Sequence, residues 1–547
     1  MKIQKSIKVR MRDGIHLVTD VVLPDGDGPF AAVLFRSPYN RANYVRGTGC
    51  FLEQNIAVVS QDVRGRYESE GEYYPFANEF EDGIDTVEWL KAQPWSNGKI
   101  AMYGDSYLAH VQFAMMRPNS VSFTTLNPRF MCGDGYARGY YCGGIFNLAL
   151  TWSWLCFECA SSCSQANLIP FISDLLNVLK TQPVSEIDMA SGSLAPIRAF
   201  RDFAEHRHDG PFWDCCNLRR QNPTIDYPVL LTGGWYDFYA GETIKNFLYI
   251  REHSVSEYIA SQHRMIIGPW THGIGVSTLG EIDFGEDAVK ENYHSAKWVI
   301  GMLKGMPAEK LFPAPVRFFV MGRNAWRDYG QWPPKGQREC KFFLQPGKAL
   351  SMDEPEVDED FESCVFDWEN PVPTLGGNHS IGPYNPGLYE YAKPGPFDQR
   401  PLEAREDVLS FTTSPLERDT EVIGIVHLTL FGASDTKDAD WFAKLIDVHP
   451  DGKAYNITEG CLRSSFRKSS ERQEYLQPGE ICQFNFELGA TAMCFKAGHS
   501  IRLDVCCSNF PLFELNTAAL EAPGRIISQQ VYYGKTYPSC LILPIVG

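Results

Sequence analysis

Short runs of consecutive apolar residues punctuate the first part of the chain: Ala31-Ala-Val-Leu-Phe35, Ile56-Ala-Val-Val-Ser60 and Lys99-Ile-Ala-Met-Tyr103. Runs of this length without alternation are expected of strands covered on both faces. Between the second and third, Ile84, Val87, Trp89 and Leu90 give Phe80 to Lys91 a helical spacing. Strand, helix, strand, helix predicts an α/β layer built on a parallel sheet. From about Phe130 to Gln221 the rhythm is lost. This stretch is rich in Phe, Trp, Tyr and Cys, and Ile145 to Cys156 and Leu168 to Leu179 carry helical patterns. It is read as a helical cap inserted over the α/β domain. The strand rhythm returns at Pro228-Val-Leu-Leu-Thr232 and Arg264-Met-Ile-Ile-Gly268, with a helical pattern from Asn292 to Leu303. After Pro313 come short, partly alternating segments: Phe318 to Met321, Lys341 to Gln345, Val422 to Leu430, Phe442 to Val448 and Ile501 to Cys507. Turn signals at Pro346-Gly347 and Asp451-Gly452 separate some of them, which predicts an antiparallel β-sandwich of jelly-roll type. The expected organisation is therefore an α/β domain over 1–129 and 222–312, a cap over 130–221 and a β domain over 313–547.

Composition narrows the function. The chain has 547 residues, with 44% hydrophobic and 21% charged, the balance of an ordinary globular protein. Its formal charge of −17 repels phosphate backbones and anionic surfaces, so nucleic-acid and membrane partners are not expected. No apolar run follows the lysines of the N-terminal segment, and no apolar stretch approaches the ~20 residues of a membrane helix. A cytoplasmic location is expected, with most of the 16 cysteines acting as small buried hydrophobes. Cys156-Phe-Glu-Cys159 and Cys163 have metal-ligand spacing but no second pair, and no metal site is assigned to them.

The strongest chemical signal is Tyr103-Gly-Asp-Ser106-Tyr-Leu-Ala109, between a buried strand and an apolar-periodic segment, Val111 to Met116. A serine at the apex of a strand-to-helix turn, with glycine two residues earlier, is the context of a nucleophile elbow. Position 108 is Leu, so the common G-x-S-x-G form is not met. An N-cap serine would occupy the same place. A nucleophilic serine needs a base and an acid to orient that base, in the chain order Ser, acid, His for α/β hydrolases. Two loops that follow buried strands supply them, Gly233-Gly-Trp-Tyr-Asp237 and Pro269-Trp-Thr-His272. Among the competitors, His110 is expected to pack and Asp105 to point to the other side of the turn. Likewise His206 and His208 are expected at a solvated surface, and Asp62 to Arg66 in a salt-bridged loop.

The elbow, the segment Gln61-Asp-Val-Arg-Gly-Arg-Tyr-Glu-Ser-Glu-Gly71, Trp235-Tyr-Asp237 and Gly268-Pro-Trp-Thr-His272 resemble the cocaine esterase and X-prolyl dipeptidyl peptidase family. Val320 to Asp328, Asp447-Val-His-Pro-Asp-Gly452 and Ala497-Gly-His-Ser-Ile-Arg-Leu503 resemble that family's C-terminal domain. The resemblance implies an α/β-hydrolase core, an inserted helical cap and a C-terminal jelly roll like galactose-binding modules. It also implies serine hydrolysis of esters or amides without a cofactor. Carried over residue by residue, Ser106 matches the nucleophile, Asp237 the acid and His272 the base. Tyr39 matches the tyrosine whose hydroxyl forms the oxyanion hole with the Tyr107 backbone N–H. Ala109 stands where the family usually has Gly.

Family members that act on α-amino acid esters place acidic residues directly after the catalytic Asp. Here Phe238 and Tyr239 follow Asp237, and the nearest carboxylate in sequence is Glu242. A free ammonium would be costly to desolvate there, which favours a small-molecule ester with a neutral, apolar or aromatic acyl group. The same constellation also serves an amidase or peptidase, or an acyltransferase or lactone- or lactam-forming enzyme. A carbohydrate-binding protein with an inactive hydrolase core is a further alternative. A homo-oligomer is compatible with all of these.

Overall fold

The computed structural model describes residues 1–45, 48–158, 172, 174–193, 195–273, 275–379, 386–521 and 524–547. Cys159, Cys163 and the start of the helical pattern from Leu168 lie outside the described residues.

The first part of the chain is built on a ten-stranded mixed sheet. Its strands are β1 (Lys2–Arg10), β2 (His16–Leu23), β3 (Phe30–Ser37), β4 (Ile56–Asp62), β5 (Ser96–Asp105), β6 (Thr125–Arg129), β7 (Leu230–Gly234), β8 (Arg264–Gly268), β9 (Val316–Val320) and β10 (Ala325–Tyr329). The order is β1-β2-β4-β3-β5-β6-β7-β8-β9-β10. From β4 to β9 every pairing is parallel, while the two ends close with antiparallel pairs. β3 and β4 are buried at every position, which is why they read as unbroken apolar runs. Helices α1 (Glu79–Lys91), α2 (Tyr107–Ala114), α3 (Ala240–Glu252) and α4 (His294–Leu303) cover the sheet. This is an α/β-hydrolase core with the expected insertion between β6 and β7.

The insertion contains short helices at Leu148–Ser153, Leu175–Leu179, Ile187–Ala190 and Arg198–Glu205, and a π-helical turn at Trp154–Glu158. Its aromatic residues pack on one another. Tyr140 stacks on Trp154 and Trp213 at 5.9 and 5.7 Å, and Phe203 meets Tyr140 edge-on at 4.6 Å. Such pairs add about 0.5–1.5 kcal/mol each beyond the area they bury.

The C-terminal jelly-roll domain is an 11-stranded, almost entirely antiparallel assembly that begins at Gln337. Thr420–Ser434 is its longest strand, and Asp440–Val448 pairs with both Ala454–Arg463 and Ser500–Cys506. Two strands that follow Pro313 lie outside this assembly. Val316–Val320 and Ala325–Tyr329 complete the first sheet instead, because Val316 to Phe318 pair in parallel with Met265 to Ile267. No helix among the described residues is long and apolar enough to cross a membrane.

Candidate active site

The parallel strands deliver three loops to one edge of the sheet. β5 ends at Asp105, and Ser106 follows with φ 57° and ψ −121° before α2 begins at Tyr107. A non-glycine residue there costs of order 1–3 kcal/mol and persists only where its surroundings enforce it. The serine amide donates to the Arg129 carbonyl at 3.0 Å, and the serine carbonyl accepts from Ala109 and His110 at 2.8 and 3.0 Å. Its side chain makes no capping bond to α2, so the N-cap role does not describe it. Gly104 (φ 153°) makes the turn feasible, since a Cβ there would sit 2.4 Å from the Leu108 Cβ. Ala109 is fully buried in the core, so its methyl is accommodated there.

Asp237 and His272 come from the loops after β7 and β8. Two backbone bonds stitch these loops together: Trp235 N–H to Gly268 O at 2.8 Å and Tyr236 N–H to Trp270 O at 2.9 Å. The approach is so close that a Cβ on Gly234 would lie 2.2 Å from the Trp270 carbonyl oxygen. His272 Nδ1 lies 3.2 Å from Asp237 Oδ2, and the Asp237 side chain is fully buried. The Tyr239 amide donates to the other carboxylate oxygen at 3.3 Å. A buried carboxylate on Nδ1 selects the tautomer whose lone pair is on Nε2. The imidazole is flanked by Tyr239 and Phe130 at 5.7 and 6.3 Å. Phe130 adjoins Arg129, whose carbonyl holds Ser106, so the elbow and the imidazole share one rim of the sheet.

Tyr39 lies on the loop after β3, with its ring edge-on to Tyr107 at 6.4 Å. Its hydroxyl accepts the Trp154 indole N–H at 2.8 Å. As the first residue of α2, Tyr107 directs its backbone N–H out of the helix end. The Tyr107 hydroxyl donates to buried Glu79 at 2.7 Å and accepts from the Phe76 amide at 3.0 Å. Burial pushes the Glu79 carboxyl up, and Arg36 at 3.0 Å opposes that shift.

Two parts of this arrangement are not legible from local sequence. Trp154 reaches Tyr39 from 115 residues away, a contact no spacing reveals. The loop of Asp62 to Arg66 is salt-bridged as expected, yet it also anchors the Tyr39 loop. Arg66 Nε donates to the Pro38 carbonyl at 2.9 Å, and the Arg41 amide donates to Asp62 at 2.6 Å. The Arg41 side chain pairs with Asp20, Asp62 and Glu68.

The competitors fall elsewhere. His110 is buried against Phe76 at 4.2 Å, and desolvation lowers its pKa to about 3. Asp105 forms a two-point pair with Arg129, which lies over the Tyr103 ring at 4.7 Å. His206 stacks on Phe212 and bonds the Asp202 carbonyl. Glu242 is buried and engaged by Arg219 at 2.6 Å and Lys245 at 3.6 Å.

Residues 13–274 match the family described as X-Pro dipeptidyl-peptidase (S15 family), and residues 313–542 match the X-Pro dipeptidyl-peptidase C-terminal non-catalytic domain. The chain belongs to the S15 family. It is a serine hydrolase, as its S15 relatives are. Cocaine esterase of Rhodococcus sp. (strain MB1 Bresler) is 28% identical, over the whole of this chain and 98% of its own length. Two solved structures share the fold across the whole chain at 23% identity and TM-score 0.86, each covered over 96% of its length. They are an aminopeptidase from the marine sediment archaeon Thaumarchaeota archaeon and an α-amino acid ester hydrolase.

Proposed function

We propose that this protein cleaves a small carboxylic ester through an acyl-enzyme, with Ser106 as nucleophile, His272 as base and Asp237 as the acid orienting it. The observation that carries this reading is the His272–Asp237 hydrogen bond, on the same rim of the sheet as a serine held in a positive-φ elbow without a capping role. Ser106 Oγ attacks the acyl carbon while its proton passes to His272 Nε2. The Asp237 carboxylate stabilises the resulting imidazolium. The developing oxyanion receives the Tyr39 hydroxyl and the Tyr107 amide. The proton on Nε2 then goes to the departing alcohol as the ester C–O bond breaks. Water, deprotonated by His272, attacks the acyl-enzyme and releases the acid.

The acyl group is neutral and apolar or aromatic. Glu242 already faces Arg219 and Lys245, and Phe238 and Tyr239 occupy the positions after Asp237, so a substrate ammonium gains little there. Phe76, Tyr140 and Trp154 offer an aromatic wall beside Tyr39 and Tyr107. The scattered cysteines, many in apolar strands, favour a reducing cytoplasm.

Labelling by a fluorophosphonate probe, with the modified peptide mapped by mass spectrometry, tests the assignment. The expected result is one adduct on Ser106, absent from Ser106→Ala together with turnover of aryl esters. An adduct elsewhere, or turnover surviving in Ser106→Ala, refutes it. A matched ester and anilide pair reports whether amide cleavage accompanies ester cleavage.

A further inference from the structure

Asp447, His449 and His499 lie at one end of the C-terminal domain, outside the machinery proposed above. Asp447 is near the end of the strand Asp440–Val448, and His449 follows in the turn. His499 directly precedes Ser500–Cys506, the antiparallel neighbour in which Ser500 pairs with Val448 and Ile501 with Asp447. The turns are closed by His449 N–H to Lys453 O at 2.7 Å and His499 N–H to Lys496 O at 3.0 Å. Asp447 is therefore on a strand, and the two histidines sit in hydrogen-bonded turns at the ends of paired strands.

Each carboxylate oxygen of Asp447 faces one imidazole nitrogen: Oδ1 meets His499 Nδ1 at 2.9 Å, and Oδ2 meets His449 Nε2 at 3.2 Å. The two rings lie 4.3 Å apart, and the three ligand atoms are within 4.8 Å of one another. The Asp447 side chain is only 2% exposed, and among the described residues its ion-pair partners are these two histidines alone. A carboxylate removed from water needs a cation or a metal beside it. Two imidazoles supply full positive charge only when protonated.

We infer that Asp447, His449 and His499 form a binding site for a zinc-class divalent cation. Two imidazole nitrogens and a carboxylate are a borderline-to-hard donor set of the kind zinc accepts. Bonds of about 2.0–2.2 Å from one tetrahedral ion place neighbouring donor atoms about 3.4 Å apart. The two nitrogens stand 2.9 and 3.2 Å from separate oxygens of Asp447, so small side-chain rotations would gather all three around one ion. Binding releases any proton shared between the carboxylate and the rings and neutralises the buried charge. His449 is 30% exposed and His499 14%, so the ion has a route in, and water can complete its coordination. Such an ion would clamp the ends of two adjacent strands.

Full-length protein stripped with a chelator and then dialysed would be titrated with Zn2+ in competition with a chromophoric chelator. One equivalent is expected to bind, with a rise in Tm. His449→Phe keeps a ring against Tyr455, which His449 meets at 5.1 Å, and leaves a folded protein whose zinc affinity falls at least about 100-fold. Asp447→Asn is expected to weaken binding similarly. Cobalt substitution should give tetrahedral or five-coordinate visible bands without a thiolate charge-transfer band. Absence of a bound equivalent, wild-type affinity in His449→Phe, or a thiolate band each overturns the inference. Aryl-ester turnover, measured in parallel, reports on the catalytic assignment separately.

Discussion

Replacing Tyr39 by Phe removes one hydroxyl and leaves the ring in place against Tyr107. In the proposed mechanism the neutral ester carbonyl of the ground state gains little from that hydroxyl, whereas the tetrahedral oxyanion gains much. Loss of one preorganised donor costs about 3 kcal/mol of transition-state stabilisation, or roughly 150-fold in kcat, with KM changed less than about threefold. The geometry adds a second signature. The Trp154 indole N–H occupies a lone pair on the Tyr39 oxygen at 2.8 Å, so the hydroxyl proton is directed away from the indole. It also makes that proton the better donor. Trp154→Phe keeps the phenol but loses this bias, and kcat should fall about five- to tenfold, the worth of about 1 kcal/mol. If Trp154 acts through Tyr39, the double variant falls no further than Tyr39→Phe alone. Steady-state kinetics with an aryl ester on all four proteins measures the cycle. A Tyr39→Phe enzyme within threefold of wild-type kcat, or a double variant whose losses multiply, refutes the reasoning.

Three further outcomes are expected. Burial holds the pKa values of His110, His263 and His379 at about 3, against about 6.5 when unfolded, so all three are neutral in the native protein at pH 7. Below pH 6.5 the unfolded chain binds the extra protons, and stability falls as pH drops from 6.5 toward 3, by about 2 kcal/mol per histidine at pH 5. Urea midpoints at pH 7 and 5 check this, and His110→Phe should reduce the slope; a flat profile refutes it. Gly104→Ala forces a Cβ to 2.4 Å from Leu108 at a φ of 153°, so kcat should drop at least about 100-fold with a lower Tm; unchanged turnover would show that the elbow tolerates displacement. Asp105→Asn breaks the pair with Arg129 and should cost about 1–2 kcal/mol of stability, reduced because the Asp105 side chain is 40% exposed. Its kcat should stay within about fivefold of wild type, and a larger loss would give Asp105 a part in the chemistry.

The strands that carry the site were legible because burial on both faces leaves uninterrupted apolar letters, as in β3, β4 and β8. β1 was not, since it is an edge strand with mostly exposed residues and no continuous apolar row. β6, Thr-Leu-Asn-Pro-Arg, hides its character behind polar residues that the fold satisfies: Asn127 bonds Gln112 and the Leu230 carbonyl. That Val316–Val320 pairs with the first sheet was not legible either, because an apolar strand does not announce which sheet it joins. Asp237 and His272 could be anticipated from strand-then-loop order. The Trp154–Tyr39 bond and the Arg66–Pro38 anchor depend on tertiary placement that local pattern does not encode.

The indole bond also means that the inserted segment is not a removable roof. A residue of that segment sets the direction of the Tyr39 hydroxyl proton, so on the proposed oxyanion role, exchanging it for a relative's version to broaden substrate choice would alter turnover as well. Diversification of this scaffold therefore has to carry position 154 and position 39 together, whatever else in the insertion is free to vary.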